Sequence, residues 1–236
     1  GSIEASYDSS INIRLAGTNT INHYRSSTDK IMKLPPGVVD PVSSTTSFTV
    51  TTTATNSEVS AVNLVNLTFT PAGTASVCEF GSLTIASGGT YSATSGTTTL
   101  KGETSGGSTY VNDGTFTHNN GTLLLHADIP DTQVYAGSSS LYNLTSSTGN
   151  NVWLKENITI ANDLTVTSGT FGSGGGNNKA ITVTGDVSIT GGEFGNGSET
   201  GAYTVKGLVT LTGGTFDLSS GTINLGGIRN AGGTIS

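Results

Sequence analysis

Through most of the chain, apolar residues recur two positions apart with Thr or Ser between them, as in Leu164 and Val166, Val187 and Ile189, or Val209 and Leu211. That spacing matches a β-strand, whose successive side chains point to opposite faces, and not a helix of roughly 3.6 residues per turn. Each run is short and closes on Ser-Gly or Gly-Gly followed by an aromatic, so the chain turns and starts a new strand. The phrase repeats: LTVTSGTF at 164–171 is answered by VSITGGEF at 187–194 and again by VTLTGGTF at 209–216. A second phrase follows each, carrying Ile181 and Val183, then Tyr203 and Val205, then Ile223 and Leu225.

Strands this short make poor hairpins, but equivalent strands one repeat apart can stack in parallel at about 4.8 Å around a narrow core. The pattern predicts an all-β fold, a parallel β-solenoid (β-helix) with up to three short strands per coil and coils of about 22–25 residues. Its handedness is left open. Phe171, Phe194 and Phe216 would then form one inward column, since offset aromatic stacks accept centroids about 4.5–7 Å apart. Unrelated Phe residues filling a sandwich core are the alternative. Earlier segments repeat more loosely: LTIASGGTY at 83–91 and TYVNDGTF at 109–116 share an ending, and the interval from Phe116 to Phe171 is close to two coils. Residues 48–236 read as solenoid. Residues 1–47, with Arg14, Arg25, Asp29, Lys30 and Lys33 and the prolines 35, 36 and 41, read as an irregular first coil or cap joined by a Pro-rich turn. The closing AGGTIS stops in mid-pattern, so the solenoid is expected to be truncated there, as a segment of a longer protein.

The segments NLT, VWL, NITI, NDLTVTSGTF and GTINLGG resemble the degenerate β-strand repeats of large bacterial surface proteins and of phage fibre or tailspike-like proteins. The resemblance spans about residues 48–236. It implies a β-helical stalk at an extracellular, cell-surface or virion location, and it carries no catalytic signature.

Composition narrows the function classes. Gly, Ser, Thr and Asn make up more than half of the 236 residues, charged residues are 11%, and the net charge is −7. Such a chain is not a basic nucleic-acid binder, and its regular apolar alternation argues against disorder. Apolar runs such as Leu123–Leu125 are far shorter than the roughly 20 residues of a membrane helix, so membrane insertion is not expected. Cys78 is the only cysteine, which excludes an intrachain disulfide and a multi-cysteine metal site. The Gly-rich stretches lack a Walker lysine, and the turns GSGGGNN and GNGSETG lack the Asp of calcium-binding repeats. No cofactor and no metal are expected.

Candidate chemistry is sparse. HADIPD gathers His126, Asp128 and Asp131 near Pro130, the densest approach to the carboxylate pair, about 5–10 Å apart, that glycoside cleavage uses. A solvated turn in which Asp caps backbone amides is the simpler reading, and His118 and His23 have no acid beside them in sequence. No catalytic residue is therefore assigned. In NVWLKE, alternation sends Val152 and Leu154 inward and Trp153 outward, where the indole offers an apolar face to a sugar ring or a partner surface. A loop folded over it, or a shifted register, is the alternative. The segment after each repeat aromatic varies in length, which marks one corner as the place where loops bulge, and Asn177, Asn178, Asn196 and Glu199 sit there as candidate glycan contacts. Asn-x-Ser/Thr sites at Asn66, Asn120, Asn143, Asn157 and Asn196 arise readily in so Thr-rich a chain.

Three function classes follow. The first is a non-enzymatic structural or adhesive segment, a spacer or display stalk whose partners are further copies or neighbouring chains of a fibre or surface assembly. The second is a module that binds or cleaves cell-surface polysaccharide. The third is self-assembly through unprotected strand edges.

Overall fold

The computed structural model describes residues 82–236 with their side chains, apart from 94, 102–106, 127–130, 175 and 219, and before that only the backbone of strands between 14 and 81. The described residues are all-β and form a parallel β-solenoid of about six turns. Strand pairs such as Leu164–Val187, Val187–Val209 and Val209–Ile228 are parallel and in register, each partner one coil away. Leu144 stands beside Leu164, a shorter step than any of the sequence repeats, whereas Thr98 stands beside Leu123, so the coil length varies slightly more than the repeats imply. Backbone pairing also links Ser47–Thr52 to Thr18–His23 on one side and to Leu67–Pro71 on the other.

One coil shows why the residues fold this way. Leu164–Gly172 carries Leu164 and Val166 inward, turns, and brings Phe171 inward; Ile181–Val183 then lays Ile181 and Val183 against the same core. The next coil repeats this with Val187–Ile189, Glu193–Phe194 and Tyr203–Leu211. Val166, Ile189 and Leu211 form one fully buried column, and the intervening Thr165, Ser188 and Thr210 face outward, partly exposed. Each inward side chain thus meets its counterparts above and below, and burying one aliphatic or aromatic group contributes about 1.5–3 kcal/mol.

The aromatic column is present. Phe171, Phe194 and Phe216 are in register and fully buried, with ring centroids 6.3 Å apart at 28° for the first pair and 5.3 Å at 5° for the second. Tyr203 joins the stack from within the coil, 5.4 Å from Phe194. Phe116 belongs elsewhere. It pairs and stacks with Tyr91 at 5.6 Å, whereas Phe171 has Val152 as its neighbour, so the interval of nearly two coils joins two different columns. The Gly-Gly turns have a steric cause: Gly192 and Gly214 have φ of +67° and +65°, and a Cβ on either would collide with a carbonyl oxygen of the coil below.

The last coil, Ile223–Asn230 and Thr234–Ile235, has a neighbour on one side only. Ile228 is 44% and Ile235 40% exposed, whereas Val209 and Phe216, their partners one coil earlier, are fully buried.

Truncating a central column member opens a cavity bounded by rings on both sides. Phe194→Ala is expected to lower the unfolding free energy by about 3–5 kcal/mol. The outward Ser188→Ala should change it by no more than about 0.5 kcal/mol. Urea unfolding of the two variants measures both, and equal effects would contradict the inward and outward assignment.

Candidate functional site

The variable corner is where the sequence places ligand contacts, and the structure brings those residues together in an unexpected way. Trp153 leaves the core face as alternation requires, since Val152 and Leu154 on either side are fully buried. The loop after Phe171 then folds over it: the backbone of Gly174 lies against the indole so closely that any side chain at 174 would collide with it. Asn177 holds this loop through its own amide, Nδ2 donating to Gly174 O at 2.5 Å. Trp153 is left half-buried as the floor of the loop.

The other corner residues also serve the stack. Asn178 adopts a positive φ of 49°, which Asn tolerates better than most residues, and its Oδ1 accepts the Thr200 N–H one coil on at 2.9 Å. Asn196 closes a local turn, Oδ1 accepting from Ser198 N at 3.2 Å and Ser198 Oγ at 2.9 Å. Glu199 departs from the expectation of a solvent-facing contact. Its side chain is fully buried, with Oε2 accepting the Tyr203 hydroxyl at 2.5 Å and Oε1 beside Gly172 without a hydrogen-bond partner. The reason is the turn of 195–202, which folds the carboxylate back over the ring that continues the aromatic stack. Burial, followed by the bond to Glu199 and its charge, raises the Tyr203 phenol far above its ordinary range.

Two further carboxyls meet on the outer face of this corner. Glu193 follows the Gly191-Gly192 turn and Asp217 follows Phe216, one coil apart. Burial first, then the Asp217 charge and a hydrogen bond to it, raise the Glu193 carboxyl above the usual range, while a 3.4 Å hydrogen bond from Thr170 Oγ1 acts the other way. Asp217 is itself anchored, accepting from Gly197 N at 2.7 Å and from Ser236 Oγ at 2.9 Å.

A ladder of polar caps at a different corner had no motif to announce it. Asn143 Oδ1 accepts from Asp163 N at 3.3 Å, Asp163 Oδ1 from Asp186 N at 2.8 Å, and Asp186 Oδ1 from Leu208 N at 2.8 Å. Each side chain satisfies an amide of the next coil. Asn157 caps Ala180 N at 2.9 Å and Asp131 caps Asn151 N at 2.9 Å in the same manner. Asp131 is thus a cap; Asp128 lies outside the described residues, as do the side chains of His23 and Asn66. His126 lies at the end of Thr122–Leu125, its N–H donating to Leu100 O at 2.9 Å.

No protein-family model, curated protein or solved structure matches the chain. Geometry therefore carries the functional reading. Among the described residues there is no group of three or more His, Cys, Asp or Glu side chains suited to a metal, and no helix long and apolar enough to cross a membrane. The residues that sequence reasoning left aside lie on another face, where His118 tilts against Tyr142 with ring centroids 5.3 Å apart.

The caps and the carboxyl pair predict separable effects. Asp186→Ala is expected to cost about 0.5–1.5 kcal/mol by freeing the Leu208 amide, and Asp186→Asn, which keeps the accepting oxygen, should recover most of it in urea unfolding. Because the folded state holds the Glu193 proton more tightly than the unfolded chain does, Glu193 favours folding at acidic pH and loses that contribution as pH rises through the raised value. Glu193→Gln should therefore gain stability relative to the parent at neutral pH, with the difference shrinking towards acidic pH. A difference independent of pH would contradict the raised Glu193 carboxyl.

Proposed function

We propose that the chain is a non-enzymatic structural segment, a β-solenoid spacer in an extracellular bacterial surface protein or phage fibre that positions or displays an adhesive part. The observation that carries this reading is the unbroken in-register column from Leu144 through Leu164, Val187 and Val209, flanked by corners whose polar side chains bond from coil to coil. Such a module transmits its shape along one axis by repeating one contact, which is what a spacer needs. Its partners in this reading are neighbouring chains of the same assembly.

The non-enzymatic part draws on the carboxyl groups. Asp131 is engaged as an amide cap, Glu199 is buried against Tyr203, Glu193 accepts from Thr170 Oγ1, and Asp217 accepts from Gly197 N and Ser236 Oγ. Incubated with a panel of bacterial polysaccharides, the full chain should release no reducing ends and no unsaturated products. Turnover abolished by Glu193→Gln or Asp217→Asn would overturn the reading in favour of a polysaccharide-cleaving module.

A further inference from the structure

Away from the corner loops, the turn after Phe116 and the segment one coil later enclose an open depression of about 610 Å³, lined by Phe116, His118, Asn119, Asn120, Ser139 and Ser140. The hydrogen bonds already made within it define which groups remain. Ser139 Oγ accepts the Phe116 N–H at 3.2 Å. The Asn119 amide donates to Ser92 Oγ at 2.9 Å and Ala93 O at 2.7 Å, leaving its Oδ1 as an acceptor. The Asn120 N–H donates to His118 Nδ1 at 3.0 Å, which puts the proton of the neutral ring on Nε2. His118 Nε2–H, Asn119 Oδ1, the Asn120 side-chain amide and the Ser140 hydroxyl are then a set of donors and acceptors with no partner among the described residues.

The backbone here is also unusual. Asn119 and Asn120, with φ of 45° and 61°, are the only consecutive non-glycine residues with positive φ among the described residues. Both residues are exposed at this turn, and the tilted contact of His118 with Tyr142 orients the imidazole. The lining holds no Lys, Arg, Asp or Glu, so it has no charge with which to select an ion. A purely apolar ligand would leave its amides and hydroxyl unpaired, which is costly. Hydroxyl groups, each able to donate and accept, match the set, and Phe116 supplies apolar surface behind it.

We propose that this depression is a binding site for a neutral saccharide, with His118, Asn119, Asn120 and Ser140 as its polar contacts. The inference rests on the spacer reading only in the choice of probe, since bacterial surface glycans are the ones that such a segment meets.

The test uses the full chain on a printed array of neutral and acidic bacterial oligosaccharides, followed by titration of the strongest neutral ligand. Asn120→Gly keeps the positive φ while deleting the amide, and Ser140→Ala deletes a hydroxyl with no bond to the described residues, so both variants should fold with unchanged thermal melts. Each is expected to weaken binding by about tenfold, equivalent to roughly 1.4 kcal/mol. Ser188→Ala, on an outward face elsewhere, should bind as the parent does. Binding that survives both changes, binding confined to acidic glycans, or no binding to any neutral glycan would overturn the site. Those results would leave the spacer reading standing, because that reading is tested separately by polysaccharide turnover.

Discussion

Hydrogen bonding between one coil and the next, in parallel and in register, is the constraint on which every other feature depends. Strands such as Ile181–Val183 and Val187–Ile189 are too short to be stable alone, so their N–H and C=O groups find partners one coil away. Only a register that places like residues over like keeps every second side chain in the core. A slip of one residue would turn Val187 and Ile189 to solvent and bring Ser188 inside. The alternation of Val, Ile and Leu with Thr and Ser is the chemical record of that requirement. Coil length can vary, as it does between the step from Leu144 to Leu164 and the step from Thr98 to Leu123, and register shifts such as the one between Ser147 and Asn151 absorb the difference before pairing continues at Val152 with Phe171.

Corners are where backbone amides would otherwise go unpaired, and the chain answers with Asn and Asp. The run from Asn143 through Asp163 and Asp186 to the Leu208 amide is the clearest case, each carbonyl or carboxylate oxygen reaching the next coil. Glycine takes the positions where a coil passes too close to the one below, as at Gly174 above Trp153. The result is a surface whose polar side chains are largely committed to the stack. At the turn of His118–Asn120 the Asn119 amide is committed in the same way, to Ser92 and Ala93 of the coil before, while its Oδ1 and the Asn120 side chain take no part in the bonds between coils.

The solenoid and its inner columns were legible from the sequence because period-2 alternation and a recurring phrase of nearly constant length are local signals that survive without any knowledge of register. Phe171, Phe194 and Phe216 lie where those signals place them. What was not legible depended on the path of loops between strands. Trp153 is outward by alternation, yet its cover comes from Gly174 in the next coil. Glu199 sits in a Gly- and Ser-rich segment that reads as exposed, and only the fold-back of 195–202 reveals that it closes over Tyr203. His118 and Tyr142 meet because their coils are adjacent, although nothing near either residue in sequence points to the other. Phe116 illustrates the opposite hazard, a spacing close to two coils that joins two separate columns.

A solenoid built in this way gains its rigidity from repetition of one contact, so the direction of pairing decides everything else. Proton NMR of the labelled chain reads that direction without reference to side-chain packing. Parallel stacking predicts backbone contacts between residues one coil apart, Leu164 with Val187 and Val187 with Val209, in the pattern of parallel strands. Short Hα–Hα contacts between consecutive segments, such as Leu164–Val166 with Ile181–Val183, would mean antiparallel hairpins and would contradict it.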